Sequence, residues 1–248
     1  MKDDKILTIA IPTYNRSRFL KNSLKRISSQ IKDFENEIEL LISDNCSSDN
    51  TQEIVDHFIE SGVILKYNRN RVNLGMDGNF LYCLKNATAK YLWILGDDDY
   101  LTDGAIAKLM NVLKFGDYGL IHLDNKKIDN FQTKSYTNKS DFFKDISFMI
   151  TFISANIVQT KYISQIDLNK YLGTYFIFIP AYMTSLIGEK NNLIVYSGII
   201  EDPADASTNG GYNIFSVFVT NYLDIIKEFR SSLGYKYYEI EKYKFKNV

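Results

Sequence analysis

The feature that most constrains this chain is a repeated alternation: short apolar, β-branched runs stop abruptly at polar loops and are followed by segments with helical spacing. Leu7 to Pro12 is such a run, broken by Pro12. From Arg18 to Lys32, Leu20, Leu24, Ile27 and Ile31 recur at the helical period, which predicts an amphipathic helix. A second run, Ile38 to Ile42, ends at Ser43 and Asp44, and Asp49 with Gln52 three residues on predicts a capping box for a helix ending near Gly62. Val63 to Tyr67 predicts a third strand, Asn79 to Ala87 a helix, and Tyr91 to Leu95 a fourth strand running into Gly96 and the triplet Asp97, Asp98, Asp99. Ile106, Leu109, Met110 and Leu113 predict a further helix capped by Thr102 or Asp103, and Gly119 to Leu123 a fifth strand.

Parallel neighbouring strands need crossovers, and crossovers supply helices. The alternation therefore predicts an α/β fold with a mainly parallel sheet flanked by helices, in one domain with a C-terminal extension. A length of 248 residues suits that organisation. With 45% apolar and 24% charged residues, general disorder is excluded. A formal net charge of −1 offers no broad basic surface for counterion release, so no nucleic acid partner is expected. Cys46 and Cys83 lack CxxC spacing and read as two reduced thiols. The N-terminal apolar run is too short for a signal-peptide core or a membrane span, which leads to the expectation of a cytoplasmic protein.

In open parallel sheets, ligands bind beyond the carboxyl ends of the strands. Here those ends are polar: Pro12 to Arg16, Ser43 to Asn45, Asn68 to Arg71, and Asp97 to Asp99. Crowded carboxylates raise the cost of ionisation, and a bound divalent cation removes it. With an extended backbone, Asp97 and Asp99 would share one side and Asp98 would face the other. Such oxygen donors suit Mg2+ or Mn2+, which also take diphosphate oxygens. The alternative is a solvated acidic turn at the start of the next helix. Asp44 could accept from a base N–H, Arg69 or Arg71 could meet phosphate oxygens, and Tyr14 could stack on a base or ribose. Neither GxGxxG nor a P-loop signature is present, so metal and arginine would have to hold the phosphates.

The motifs IAIPTYNR, LISDNCSSDNT, NLGMDGN and YLWILGDDDYL, in that order and at these spacings, resemble the family 2 glycosyltransferases of GT-A fold over about Leu7 to Leu113. The resemblance implies an inverting, metal-dependent transferase that uses a nucleoside-diphosphate-sugar donor, with Mn2+ or Mg2+ as cofactor. It implies that Pro12, Thr13, Tyr14, Asn15, Arg16 and Asp44 serve the nucleotide, and that Arg71, Asn73 and Gly75 serve the phosphates or the loop around them. It further implies that Asp97 and Asp98 meet ribose or sugar, with Asp99 the first choice of metal ligand and Asp97 the second. The sequence departs from the family pattern at Ser43, where an aspartate is frequent, and at Cys46.

An inverting transfer needs a base for the acceptor hydroxyl. In the second half of the chain, Asp202 and then Glu201 are the candidates for it, within SGIIEDPADAS, against the alternative of a polar turn before Pro203. Asp124 is a further candidate, whereas His57 reads as a surface residue and His122 as a satisfied core group. The expected layout is a transferase domain over 1–215, divided into a nucleotide-sugar half (1–115) and an acceptor half (116–215), then a helical extension over 216–248. The Tyr- and Lys-rich C-terminal stretch could lie on the inner face of a membrane, but Glu239 and Glu241 argue for a packing helix. The expected acceptor is a glycan or lipid-linked glycan in surface polysaccharide assembly. Alternatives are a silent nucleotide-binding scaffold subunit of the same fold and a nucleotidyltransferase, the latter disfavoured because PTYNRS has no glycine.

Overall fold

The computed structural model describes residues 5–124, 131–196, 198–201 and 219–244. The elements run β1 (Leu7–Thr13), α1 (Ser17–Ile31), β2 (Ile38–Asp44), α2 (Thr51–Glu60), β3 (Lys66–Arg69), α3 (Gly75–Asn86), β4 (Tyr91–Ile94), β5 (Tyr100–Leu101) and α4 (Ala105–Phe115). They continue β6 (Leu120–Asp124), β7 (Gln132–Tyr136), α5 (Lys139–Ile146), β8 (Asn156–Gln159), α6 (Phe178–Gly188), β9 (Asn192–Tyr196), β10 (Ile200–Glu201), α7 (Tyr222–Glu228), α8 (Arg230–Leu233) and α9 (Tyr235–Lys244), with 3-10 turns between.

An eight-stranded sheet has the order β3-β2-β1-β4-β8-β6-β9-β7, and β5 and β10 form a separate pair. The β1–β2, β1–β4, β2–β3 and β6–β9 pairs are parallel, while β8 runs antiparallel to both β4 and β6, and β7 antiparallel to β9. This is the mixed, mainly parallel α/β fold that the alternation predicts. Along β1, Ile9 and Ile11 face one core and Ala10 the other, because successive side chains leave opposite faces of the pleat. Leu20 and Leu24 of α1, Val55 of α2 and Leu109 of α4 seal the first face; α3, α5 and α6 seal the second.

Boundaries shift where polar contacts outweigh apolar pattern. β3 begins at Lys66, three residues later than expected, and Ile64 is left 67% exposed. α3 begins at Gly75 rather than Asn79. Two glycines in its first turn hide it from propensity, and its entry is fixed at a distance: Leu74 N donates to Asn45 Oδ1 at 2.9 Å and Gly75 N to Asn73 Oδ1 at 2.8 Å. α4 is entered through Gly104 at φ 74, not through a Thr102 or Asp103 side-chain cap. Asp49 does act at the start of α2, its carboxylate accepting from Thr51 N at 3.1 Å and also from Ser17 N at 2.9 Å.

The C-terminal helices join the main core: Tyr222, Ile225, Ile226 and Leu233 are buried with Ile94 and Val158. Glu241 is 1% exposed and accepts from Ser147 Oγ at 2.8 Å, Tyr222 Oη at 3.1 Å and Lys244 Nζ at 2.6 Å, so α9 is a packing helix. The boundary expected at 215 lies outside the described residues. Among the described residues, no helix is long and apolar enough to cross a membrane.

Candidate active site

The loops after β1, β2 and β4 converge because those strands are neighbours and parallel, so their carboxyl ends lie on one edge. Asn15, at φ 53, holds the loop after β2 through both backbone and side chain: its N donates to Ser47 Oγ at 2.9 Å, and its Oδ1 accepts from Ser48 N at 2.7 Å. Asn45 reaches across to the next loop, donating to Asn73 Oδ1 at 2.8 Å and to Gly75 O at 3.0 Å. Asn79 ties the ends of β1 and β2, donating to Thr13 O at 3.4 Å and to Ser43 O at 2.9 Å while accepting from Ser43 Oγ at 2.6 Å. These amides satisfy backbone groups that the strand ends leave open.

The backbone after β4 is not extended. Asp99 N donates to Gly96 O at 3.2 Å, closing a turn, and this separates Asp97 from Asp99 instead of placing them on one side. Asp97 faces β1: its Oδ2 accepts from Thr13 Oγ1 at 2.6 Å and its Oδ1 from Arg16 Nε at 2.8 Å. The same guanidinium pairs with Asp98. Asp99 turns toward the other side, where Oδ2 accepts from Ser154 Oγ at 2.5 Å. Ser154 Oγ also accepts from Gly96 N at 2.8 Å, and the Ser154 carbonyl is held by Trp93 Nε1 at 2.7 Å. A Cβ on Gly96 would sit 2.6 Å from Asp99 Oδ2, so the absence of a side chain here leaves room for the Asp99 carboxylate in its observed position. Burial pushes the Asp97 carboxyl up to about 7, against the pulls of Arg16 and Thr13 in the other direction.

A cavity of about 490 Å³ opens beside this turn, lined by Pro12, Thr13, Tyr14, Arg16, Asn45, Asn73, Gly75 and Asp97 to Asp99 on its polar side. Met76, Phe80, Ile153 and Tyr175 supply apolar surface. Most of the residues expected to serve a nucleotide therefore share one cavity. Several do not, or do other work. Asp44 is fully buried, its carboxylate accepting from Ser47 N at 2.8 Å and Tyr67 Oη at 2.8 Å, so it braces the loop after β2 rather than facing the cavity. Arg69 is drawn to Asp44, donates to Ser47 O at 2.8 Å and is not among the residues that line the cavity. Arg71 is exposed outside the lining, and its carbonyl accepts from Cys46 Sγ at 3.6 Å. Arg16 lines the cavity as a clamp on two aspartates.

Asp98 and Asp99 present hard oxygen donors to the cavity, the set that Mg2+ or Mn2+ takes. Among the described residues no group of three potential ligands is gathered, but these cations keep waters and take substrate phosphate oxygens, so one or two carboxylates fit. Asp97 fits less well as a ligand, because Thr13 and Arg16 already hold both its oxygens.

Glu201 lies opposite Tyr100 in the β5–β10 pair and is ion-paired with Arg26 of α1, outside the cavity lining. Glu201 is thus engaged by Arg26 and is not among the residues that line the cavity, where a base would be expected. Asp202 lies outside the described residues. Asp124 ends β6, apart from the cavity lining. His122 Nδ1 lies 3.0 Å from Asn156 Oδ1 in the core, and His57 is exposed on α2. The sequence reading missed Asn45, Asn79, Ile153, Ser154 and Tyr175. The asparagines sat within recognised motifs, whereas Ile153 to Tyr175 come from the half in which periodicity fails.

The sequence model described as Glycosyl transferase family 2 matches residues 8–170, and the chain belongs to that family. It is similar to abequosyltransferase RfbV of Salmonella typhimurium, with 41% identity over 109 residues, covering 44% of this chain and 32% of that one. It is also similar to the GalNAc(5)-diNAcBac-PP-undecaprenol beta-1,3-glucosyltransferase of Campylobacter jejuni, with 34% identity over 105 residues, covering 42% of this chain and 33% of the relative. The matched stretch is thus about a third of each relative's length. In structure it resembles S. aureus TarS 1-349 in complex with UDP-GlcNAc, with a TM-score of 0.71 and 16% identity over 96% of this chain and 71% of that one. It also resembles the mannosyltransferase PcManGT from Pyrobaculum calidifontis in complex with GDP-Man and Mn2+, with a TM-score of 0.58 and 16% identity over 94% and 69%. The fold is accordingly of GT-A type.

Proposed function

We propose that the protein transfers a sugar, with inversion, from a nucleoside-diphosphate-sugar to a hydroxyl of a glycan or lipid-linked glycan in surface polysaccharide assembly. The observation that carries this reading is the cavity in which the Pro12–Arg16 loop and the Asp97–Asp99 turn face one space at the carboxyl edge of the sheet. Tyr14, 42% exposed, offers a ring for a base or ribose, and Thr13 and Asn73 offer polar groups. Asp99, aimed by Ser154, is the proposed holder of Mn2+ or Mg2+, with Asp98 beside it. A cation bound there would neutralise charge developing on the departing diphosphate.

The acceptor oxygen attacks the anomeric carbon as the bond to the diphosphate breaks, and its proton passes to a base. Asp202 is the proposed base, one position past the strand that sets Glu201 opposite Tyr100. The test is release of UDP from UDP-GlcNAc, or GDP from GDP-Man, with Mn2+. Asp202→Asn should abolish turnover while Glu201→Gln retains it; full turnover in Asp202→Asn would overturn the assignment. A scaffold subunit, the second reading, is favoured by the engagement of Glu201 with Arg26 and would bind nucleotide without hydrolysing any donor. Association with the inner face of a membrane is proposed only through the acceptor, since α9 is spent on packing.

A further inference from the structure

One aromatic residue of the cavity stands out from the others by its backbone. Tyr175 adopts φ 66, in the left-handed region that bulky residues avoid, and its ring remains 39% exposed on the cavity wall. Strain of this kind persists where surrounding structure over-determines it, and it concentrates where a ligand is gripped. The surrounding structure here is specific. Tyr175 N donates to Asp77 Oδ2 at 2.9 Å, and burial pushes the Asp77 carboxyl up against the opposing pull of the backbone amides of Tyr175, Gly173, Ile177 and Thr174. Thr174 O accepts from Asn221 Nδ2 at 2.9 Å, and Thr174 Oγ1 both donates to Tyr171 O at 2.7 Å and accepts from Phe176 N at 3.1 Å.

The anchor is costly as a stabilising device. Asp77 is 7% exposed in the first turn of α3, and its Oδ1 is buried with no hydrogen-bond partner. A buried carboxylate that is incompletely paired, holding a strained aromatic against a polar cavity, is better explained by what the ring touches than by packing. Tyr175 and Ile153, the latter just before β8, line the same cavity as the Pro12–Arg16 loop and the Asp97–Asp99 turn. With a nucleotide on the loops after β1 and β2, as the transferase reading has it, Tyr175 and Ile153 are left to receive the group beyond the diphosphate.

We propose that Tyr175 is a specificity-determining residue whose ring forms the platform for the apolar C–H face of the donor's sugar ring, with Asp77 as the positioning residue that sets it. This rests on the transferase reading of the cavity. Pyranose C–H groups on one face carry slight positive charge and suit the negative face of an aromatic ring. Asp77 acts through the backbone, so its carboxylate and the ring form one device.

Calorimetric titration with Mn2+ separates the parts, using UDP against UDP-GlcNAc and GDP against GDP-Man on the full chain. Tyr175→Ala should weaken binding of the nucleotide-sugar roughly three- to tenfold while leaving the matching nucleoside diphosphate unchanged. Tyr175→Phe should bind as the parent does. Tyr175→Gly, which tolerates φ 66, should fold with an undiminished melting temperature and show the same selective loss. Asp77→Asn should reproduce part of that loss without altering UDP or GDP affinity. Equal losses for nucleotide and nucleotide-sugar would mean that Tyr175 serves the nucleoside, and unchanged affinities would mean that the ring touches no donor; either overturns the inference. If the parent protein prefers CDP or dTDP, the same comparison is made with that nucleotide and its sugar, and if it binds none of the four nucleoside diphosphates the transferase reading fails first.

Discussion

Arg16 Nε lies 2.8 Å from Asp97 Oδ1, and its guanidinium also pairs with Asp98, so one cation from the loop after β1 spans two carboxylates of the turn after β4. The guanidinium itself lies over Phe19, its Cζ 4.6 Å from the ring centroid. Removing it leaves Asp97 buried without its countercharge. Arg16→Ala should therefore lower stability by roughly 2 kcal/mol, discounted from fully buried pairs because the arginine is partly exposed. Urea denaturation of the metal-free protein measures it, and an unchanged midpoint would contradict the clamp.

Burial of Asp97 carries a pH signature. Its carboxyl is raised to about 7 in the folded protein from its ordinary value of 3.8, so the folded state holds a proton that the unfolded state has already lost. Folding is therefore stabilised at the acid end of that interval, and the contribution is lost as pH rises toward and through 7. A displacement of this size corresponds to on the order of 4 kcal/mol at most. The melting temperature of the metal-free protein should fall between about pH 5 and 8, and Asp97→Asn should flatten that slope. A slope retained in the variant would assign the effect to another group.

Gly96→Ala places a methyl 2.6 Å from Asp99 Oδ2 and should push the carboxylate out of its bond with Ser154. The variant should keep its circular dichroism spectrum and lose Mn2+-dependent nucleotide binding at least tenfold, roughly the worth of one misplaced charged ligand. Ser154→Ala should weaken the metal dependence less, since it removes the aim and leaves the carboxylate. Full Mn2+ dependence in Gly96→Ala would separate Asp99 from the metal.

Glu241 gathers Ser147, Tyr222 and Lys244 around one buried carboxylate. Glu241→Leu strands those polar groups and should destabilise by roughly 2 to 3 kcal/mol in chemical denaturation. An unaffected midpoint would return the C-terminal helix to the surface role that its Tyr and Lys content suggests.

What the sequence discloses and what it withholds divide along physical lines. β1, β2 and β4 are legible because they are buried on both faces and end at polar residues, and the cavity follows from their parallel neighbours. The roles of Asp44, Arg16 and Arg69 are not legible: each sits at a strand end where a ligand could lie, yet nearby partners claim it, and those partners are set by register. α3 is hidden by Gly75 and Gly78, since its entry is fixed by Asn45, 30 residues away in the chain from Gly75. Tyr175 and Ser154 are withheld because the irregular stretch before α6 and the 3-10 turn before β8 have no period for a sequence pattern to reveal.

Calorimetric titration of UDP, GDP, CDP and dTDP, each with Mn2+ and with a chelator, tests the donor-site account most directly, with Asp99→Ala as the paired variant. The account predicts that one nucleotide binds, that chelation weakens it, and that Asp99→Ala abolishes the metal dependence. Binding of none of the four would contradict it, as would tight binding indifferent to both metal and Asp99.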